Sequence, residues 1–323
     1  TGYHVPERVI TNDALTEWWD TSDEWIRERT GIQQRYWVEP GTAGSDLALE
    51  ASKMALDRAG MAASELDCII FATLSPDYFF PGGGVYLQRK LGVPGIPALD
   101  VRNQCTGFLY GLSVADAWIR TGTYRRVLLV GAEVHSTGID FSPAGRDIGV
   151  LFGDGAGAVI LGPTEDDGRG VLSVHLHADG RGAEKLWCEA ESSAKMPRIS
   201  KEDLEAGRQY PTMEGREVFR HAVVRMAEAI DAALEANGLT PGDVDWLVPH
   251  QANIRIIESM GRRLNLPSDR VVVTVDRHAN TSAASIPLAL AEAAAAGRLQ
   301  ADQLLLLNAM GGGFTWGSAL VRW

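Results

Sequence analysis

Two stretches of this 323-residue chain recur at one fixed distance. Ala55-Leu56-Asp57-Arg58-Ala59-Gly60-Met61, then Glu65-Leu66-Asp67-Cys68-Ile69-Ile70, is matched by Ala233-Leu234-Glu235-Ala236-Asn237-Gly238-Leu239, then Asp243-Val244-Asp245-Trp246-Leu247-Val248. The apolar run Val127-Leu128-Leu129-Val130-Gly131-Ala132 is matched by Leu305-Leu306-Leu307-Asn308-Ala309-Met310, again 178 positions later. One offset shared by separated segments marks a duplicated unit. It predicts two related halves, 1–165 and 166–323, meeting in the polar, turn-rich stretch from Gly162 to Gly168.

Each half repeats one local grammar. An Ala-rich helical pattern stops at a glycine in C-cap position, Gly60 or Gly238, and leads into a short apolar run. Continuous runs such as Ile69–Ala72 and Val127–Val130 suit strands covered on both faces. Strands alternating with helices imply parallel pairing, so the fold class is α/β with the two halves packed in layers. The opening Gly2-Tyr3-His4-Val5-Pro6 reads as the end of a connection, so a short strand is expected to precede it. No charged-then-apolar leader is visible.

Composition narrows the function. A net charge of -12 argues against a broad nucleic-acid face, which needs clustered Lys and Arg. No apolar run is long enough to span a membrane. Three cysteines, far apart, make neither a disulfide framework nor a zinc knuckle, and a cytoplasmic, reducing location is expected.

Three polar residues stand just before helical patterns, two of them after a strand-like run. Cys105 follows a strand-like run from Ile96 to Val101 and precedes a helical pattern reaching Trp118. At a helix N-terminus the dipole and free N–H groups lower a thiol pKa. A small buried hydrophobe is the competing reading, and spacing alone does not choose between them. Cys68 and Cys188 lack this placement and read as buried small hydrophobes. His250 follows the strand Trp246–Pro249, at the strand end where ligands bind in doubly wound sheets. Asn280 lies in a turn into an Ala-rich helix, and the duplication makes that loop the counterpart of the cysteine loop. Should the halves meet across a pseudo-twofold axis, Cys105, His250 and Asn280 converge as nucleophile and two donors, a set suited to acyl transfer. His175 and His177 alternate on one strand face without a third ligand nearby, so no metal site is expected. Gly153-Asp154-Gly155-Ala156-Gly157 precedes β-type residues rather than a helix and is read as a turn, not a dinucleotide fingerprint. Gly311-Gly312-Gly313 follows a buried strand, where a backbone N–H can face an oxyanion.

Taken together, Asn103-Gln104-Cys105-Thr106-Gly107-Phe108, Gly153–Gly157, Pro249-His250-Gln251-Ala252-Asn253, Asn280-Thr281-Ser282-Ala283-Ala284-Ser285 and Gly311–Ala319 resemble β-ketoacyl-acyl-carrier-protein synthase III. Thr21–Ile26 with Arg29-Thr30-Gly31-Ile32 adds an N-terminal signature, and the match runs in order along nearly the whole chain. The resemblance implies a thiolase-like fold, two duplicated halves in an αβαβα layered arrangement, and a homodimer. It implies decarboxylative Claisen condensation of an acyl-CoA primer with malonyl-acyl-carrier protein, initiating fatty acid synthesis with no metal or redox cofactor. By the same comparison Cys105 carries the acyl group, His250 and Asn280 stabilise the enolate, and the N–H groups of Cys105 and Gly312 form the oxyanion hole. Trp25 and Arg146 would sandwich the CoA adenine and Arg29 would meet its phosphates. Asn253 would order water or pantetheine, and Phe80 would reach the neighbouring subunit's acyl pocket. For the acidic carrier protein, Arg255 and Arg262 share a helix face in a segment (254–270) of net charge +2.

Departures from the family pattern bear on substrate. Gly82-Gly83-Gly84 stands where Ser and Ala are common, predicting a looser tunnel wall. Met310 stands where an aromatic is common and predicts room for a longer acyl group. The long polar segment 183–212 is expected to reshape the CoA entrance. Competing readings are weaker. A thiolase carries a second cysteine near the C-terminal glycines, and elongating synthases use two histidines. A chalcone-synthase-like enzyme and a specialised synthase III relative of secondary metabolism share Cys, His and Asn. A papain-like protease does not fit the duplication, and a non-catalytic acyl-CoA binder would never acylate Cys105.

Overall fold

A computed structural model describes residues 1–165 and 168–323. The border expected between the halves, 165/166, touches Asp166 and Asp167, which lie outside the described residues. The first half runs β1 (Gly2–His4), β2 (Arg8–Thr11), α1 (Asp23–Thr30), β3 (Gln34–Trp37), α2 (Gly44–Ala59), β4 (Cys68–Ala72), α3 (Gly83–Leu91), β5 (Ala98–Val101), α4 (Gly107–Arg120), β6 (Val127–Glu133), α5 (Arg146–Gly149) and β7 (Gly155–Leu161). The second runs β8 (Gly170–Ala178), β9 (Leu186–Trp187), α6 (Lys201–Glu205), β10 (Thr212–Met213), α7 (Gly215–Ala236), β11 (Trp246–Pro249), α8 (Ile254–Arg263), α9 (Val275–His278), α10 (Ser285–Ala295), β12 (Leu304–Gly311) and β13 (Thr315–Arg322).

Two sheets carry the architecture, in the orders β1-β7-β6-β4-β5 and β11-β12-β13-β8. The parallel pairing Cys68↔Val127, Ile69↔Leu128 in the first sheet returns as Trp246↔Leu305, Leu247↔Leu306 in the second. Every partner has moved by the same 178 positions, so the duplication extends to strand register. Beyond β11, Leu247 bridges Val271 in parallel, standing where β5 stands beside β4. Helices α4 and α10 lie between the sheets: α4 packs on β4 and β6 and also on β8 and β13, while α10 packs on β7, β1 and β11. On the outer faces α2 and α3 cover the first sheet and α7 and α8 the second. The order of layers is therefore αβαβα.

Burial explains the run pattern. Every residue of β4, β6 and β12 is buried, which is why these strands read as unbroken apolar runs. Leu128, Leu129, Leu305 and Leu306 are fully enclosed, each worth roughly 1.5–3 kcal/mol relative to exposure. The layers close up at glycines: a Cβ on Gly131 would overlap Ala283 O, and one on Gly157 would overlap Leu288 N.

Several expectations are corrected. Gly2–His4 is itself a strand, antiparallel to β7, rather than the tail of a connection. Gly153–Gly157 is not a free turn: Asp154 is buried, accepts from the Val38, His135 and Ser136 N–H groups, and leads into β7. The glycines 82–84 do not loosen a wall. A Cβ on Gly82 would run into the Asp100 carboxyl group, and one on Gly83 would sit 2.9 Å from the Phe71 ring. Their bare backbone lets Asp100 accept the Gly83 and Gly84 N–H groups at 2.6 and 2.9 Å and cap α3. Cys68 is buried in β4, but Cys188 is exposed, because it lies in the surface segment after β9.

Candidate active site

Cys105 sits in the single turn Gln104–Thr106 between β5 and α4. Gln104 holds a left-handed φ of 44°, which turns the chain sharply enough to present the following side chain inward. His250 directly follows β11 and extends the ladder, its N–H donating to Asn308 O at 2.8 Å. Asn280 follows α9 and is held by the other half: its N–H donates to Leu151 O (2.9 Å), and its carbonyl accepts from Gly153 N (3.1 Å). These three residues line one cavity of about 110 Å³, with Asn253, Met310 and Gly311 also in its wall. The rest of the lining is mainly apolar, including Leu186, Val218, Phe219, Met226 and Ile256.

Hydrogen bonds orient the polar groups. Nδ1 of His250 is 2.7 Å from Ser285 Oγ, which leaves Nε2 as the ring's free nitrogen. Asn280 Oδ1 accepts from Ser282 N at 2.8 Å, which leaves Nδ2 as the donor not held by that turn. Burial lowers the His250 pKa to about 3, so the imidazole is neutral across the physiological range. The thiol departs from expectation. Burial pushes Cys105 up to about 12, and the nearby Glu133 carboxylate adds to the rise, outweighing the hydrogen bond from Ser282.

Other residues singled out in the sequence lie outside the cavity lining. Gly312 is one residue beyond the cavity-lining Gly311, and a Cβ there would approach Leu186 O at 2.8 Å. Trp25, on α1, is flanked by two guanidinium groups: Arg29 Cζ lies 4.4 Å and Arg146 Cζ 4.9 Å from its ring centroid. This cluster connects to the cavity through Asn253. Its Nδ2 donates to Arg29 O at 2.8 Å, while its Oδ1 caps α8 by accepting from Arg255 N at 2.9 Å. Phe80 is 80% exposed, beside exposed Tyr78 and Phe79. Arg262 pairs with Glu258 at 3.7 Å, whereas Arg255 Nη2 donates to Glu28 O at 2.6 Å and ties α8 to α1.

The 183–212 segment is not a bare loop. Leu186 and Met213, at and just beyond its two ends, lie on paired strands β9 and β10 and face the cavity. Buried Asp203 pins the middle, accepting from Lys195 Nζ at 2.8 Å and Arg208 Nη1 at 2.9 Å. Among the described residues no group of three or more His, Cys, Asp or Glu is placed to hold a metal ion, and no helix is long and apolar enough to cross a membrane.

Sequence reasoning passed over Glu133, Ser282 and Ser285. The two serines stand inside a motif already quoted, but nothing in their spacing gives them a task. Glu133 carried a signal, a charged residue ending a wholly apolar strand. Its buried carboxylate accepts from Thr73 Oγ1, Leu74 N, Ser75 N, Ser75 Oγ and Ala283 N, and burial raises its pKa to about 7.

Comparison with known proteins agrees with this architecture. Residues 99–180 match the family described as 3-oxoacyl-[acyl-carrier-protein (ACP)] synthase III, and residues 234–323 match its C-terminal family. A β-ketoacyl-[acyl-carrier-protein] synthase III of Rhodospirillum centenum is 50% identical, covering 100% of this chain and 97% of its own length. The crystal structure of the synthase III of Thermus thermophilus superposes with a TM-score of 0.91 at 42% identity, covering 100% of this chain and 97% of that one. The priming β-ketosynthase of the R1128 polyketide pathway superposes at 0.90 with 34% identity, covering 99% and 94%. The fold is thiolase-like, and the chain belongs to the β-ketoacyl-[acyl-carrier-protein] synthase III family.

Proposed function

We propose that this chain, an acyltransferase, performs the decarboxylative condensation of an acyl-CoA primer with malonyl-acyl-carrier protein, giving a 3-ketoacyl-carrier protein that starts fatty acid synthesis. The observation that carries this reading is the meeting of Cys105, a neutral His250 and the Asn280 amide in one largely apolar cavity.

The reaction follows from those groups. The Cys105 sulfur attacks the primer thioester, and CoA departs with the thiol proton. His250 Nε2–H and Asn280 Nδ2–H, both uncharged donors, hold the malonyl thioester carbonyl. As the carboxylate leaves as carbon dioxide, its bonding pair becomes an enolate whose oxygen these donors stabilise. Neutral donors favour the developing charge without binding the carboxylate that must leave. The enolate carbon then attacks acyl-Cys105, and the N–H groups of Cys105 and Gly312 take the new oxyanion, each donor worth roughly 3–4 kcal/mol. Collapse breaks the carbon–sulfur bond and expels the Cys105 thiolate, which takes one proton from solvent to restore the thiol. CoA and the carrier-protein phosphopantetheine enter as substrates.

Several features support the path of the substrate. The Trp25–Arg29–Arg146 cluster offers an indole and a guanidinium plane to the CoA adenine, and Asn253 leads from it into the cavity. Arg262, exposed on α8, is the stronger docking residue for the acidic carrier protein, since Arg255 is engaged with α1. We place the homodimer contact at the outer edge of β5, where Leu99 and Tyr78–Phe80 are exposed, with Phe80 completing the partner's acyl pocket. The likeness to a priming polyketide synthase favours one second reading, a specialised starter condensation.

Intact-protein mass after incubation with a panel of acyl-CoAs, beside Cys105→Ala, tests the proposal. An adduct absent from the variant and discharged by malonyl-carrier protein with release of carbon dioxide is expected. An adduct discharged by other acceptors alone would favour the specialised reading, and no adduct with any primer would overturn both.

A further inference from the structure

The sharp turn that presents Cys105 occurs twice. Gln104 and Ser282 are 178 positions apart and share left-handed φ values of 44° and 47°. Each opens a one-turn segment, Gln104–Thr106 and Ser282–Ala284, that runs straight into a central helix, α4 or α10. The two turns meet at the junction of the halves. A Cβ on Gly107 would lie 3.4 Å from Ala283 Cβ, and Ser282 Oγ lies 3.5 Å from Cys105 Sγ.

Ser282 is wholly buried, and its hydroxyl hydrogen bond is directed at the sulfur. Left-handed backbone favours glycine, yet a side chain stands here. Its turn is also fixed: Ser282 N is held by Asn280 Oδ1 at 2.8 Å, and Ala283 N by Glu133 Oε1 at 3.3 Å. The groups near the sulfur otherwise give a thiolate little help. Glu133 opposes negative charge, and buried His250 carries none.

We propose that Ser282 is a further catalytic residue of this site, its hydroxyl donating to the Cys105 sulfur as negative charge gathers there. The proposal rests on the condensing reading above. In acylation the sulfur–acyl bond forms, the acyl–CoA sulfur bond breaks, and the thiol proton ends on the departing CoA sulfur. Ser282 keeps its proton throughout. One copy of the duplicated turn thus supplies the nucleophile, and the other supplies a donor to it.

Ser282→Gly separates the hydroxyl from the turn, because glycine keeps the backbone N–H and relaxes the left-handed φ. In a Cys188→Ser background, which removes the exposed thiol, Cys105 alkylation by iodoacetamide is followed against pH by intact mass. Loss of one hydrogen bond to a charged group, about 1.5 kcal/mol, is expected to slow alkylation about tenfold at every pH below the thiol's own pKa, displacing the rising limb of the profile by about one pH unit. It is also expected to slow acylation about tenfold, with little change in KM and no loss of thermal midpoint. A Ser282→Gly profile and acylation rate equal to those of the parent would overturn the proposal. Should the parent form no acyl adduct, the condensing reading fails, and the alkylation profile still decides whether the hydroxyl serves the sulfur.

Discussion

Gly311 packs so tightly on Cys105 that an added Cβ would stand 3.0 Å from both its Cβ and its backbone N. The end of β12 is therefore the wall against which Cys105 is seated. Gly311→Ala must shift either the strand end or Cys105, at about 1–3 kcal/mol of overpacking. Because an ångström of misplacement costs on the order of 100-fold in rate, acylation should fall far more than stability. Stopped-flow acylation beside thermal unfolding checks this, and an acylation rate within twofold of wild type would refute it.

The buried imidazole sets a pH dependence. His250 has its pKa lowered to about 3 from 6.5, so below 6.5 the unfolded chain takes a proton that the fold refuses. Its contribution to stability is complete above pH 6.5 and is lost as pH falls toward about 3. Glu133 runs the other way, raised to about 7 from 4.5, and its contribution declines as pH rises through that interval. The two offset each other between 4.5 and 6.5, and below 4.5 the histidine loses that offset and acts in the same direction as buried His135, which burial lowers to about 4. Denaturant unfolding across pH should show a steeper loss below about 4.5, reduced in His250→Gln. Identical slopes for the two proteins would contradict the assignment.

Arg146 faces Trp25 and lies outside the lining of the Cys105 cavity. Arg146→Ala is expected to raise KM for acyl-CoA about 2–30-fold, the range of a cation–π contact of about 0.5–2 kcal/mol, with kcat nearly unchanged. The malonyl-carrier protein has no adenine, so its KM should stay put. Steady-state kinetics with each substrate varied in turn discriminates; parallel changes in both values would place Arg146 elsewhere in the cycle.

Met310 lines the cavity on the strand that ends at Gly311. A flexible thioether adapts to differently shaped neighbours, whereas a phenyl ring does not. Met310→Phe is expected to lose long and branched primers first while keeping short ones. Competition among acyl-CoAs, read by the mass of the Cys105 adduct, measures the shift. An unchanged profile would remove Met310 from primer selection.

The duplication was legible because both halves keep the same strand runs and helix stops. Gly60 and Gly238 both hold positive φ, 62° and 64°, at matching helix ends. Cys105 and His250 were legible because each follows a strand and opens toward a helix, and Asn280 because it stands in a turn into an Ala-rich helix, positions that sequence pattern reveals. Gly82–Gly84 misled because a glycine run reports missing side chains but not what fills their place, here the carboxylate of Asp100 from another element. The thiol pKa misled for a related reason: proximity to a helix start is local, whereas burial is a property of the assembled layers. Ser282 stayed silent because its partner lies 177 residues away.

The cavity residues straddle the seam between the two sheets, with Cys105 from one copy and His250 and Asn280 from the other. Chemistry here is therefore a strain gauge for that seam. A slight slip of one sheet against the other would leave helix and strand content untouched and still part Cys105 from His250 and Asn280. Catalytic competence should report the looseness of this joint earlier than any signal that senses secondary structure.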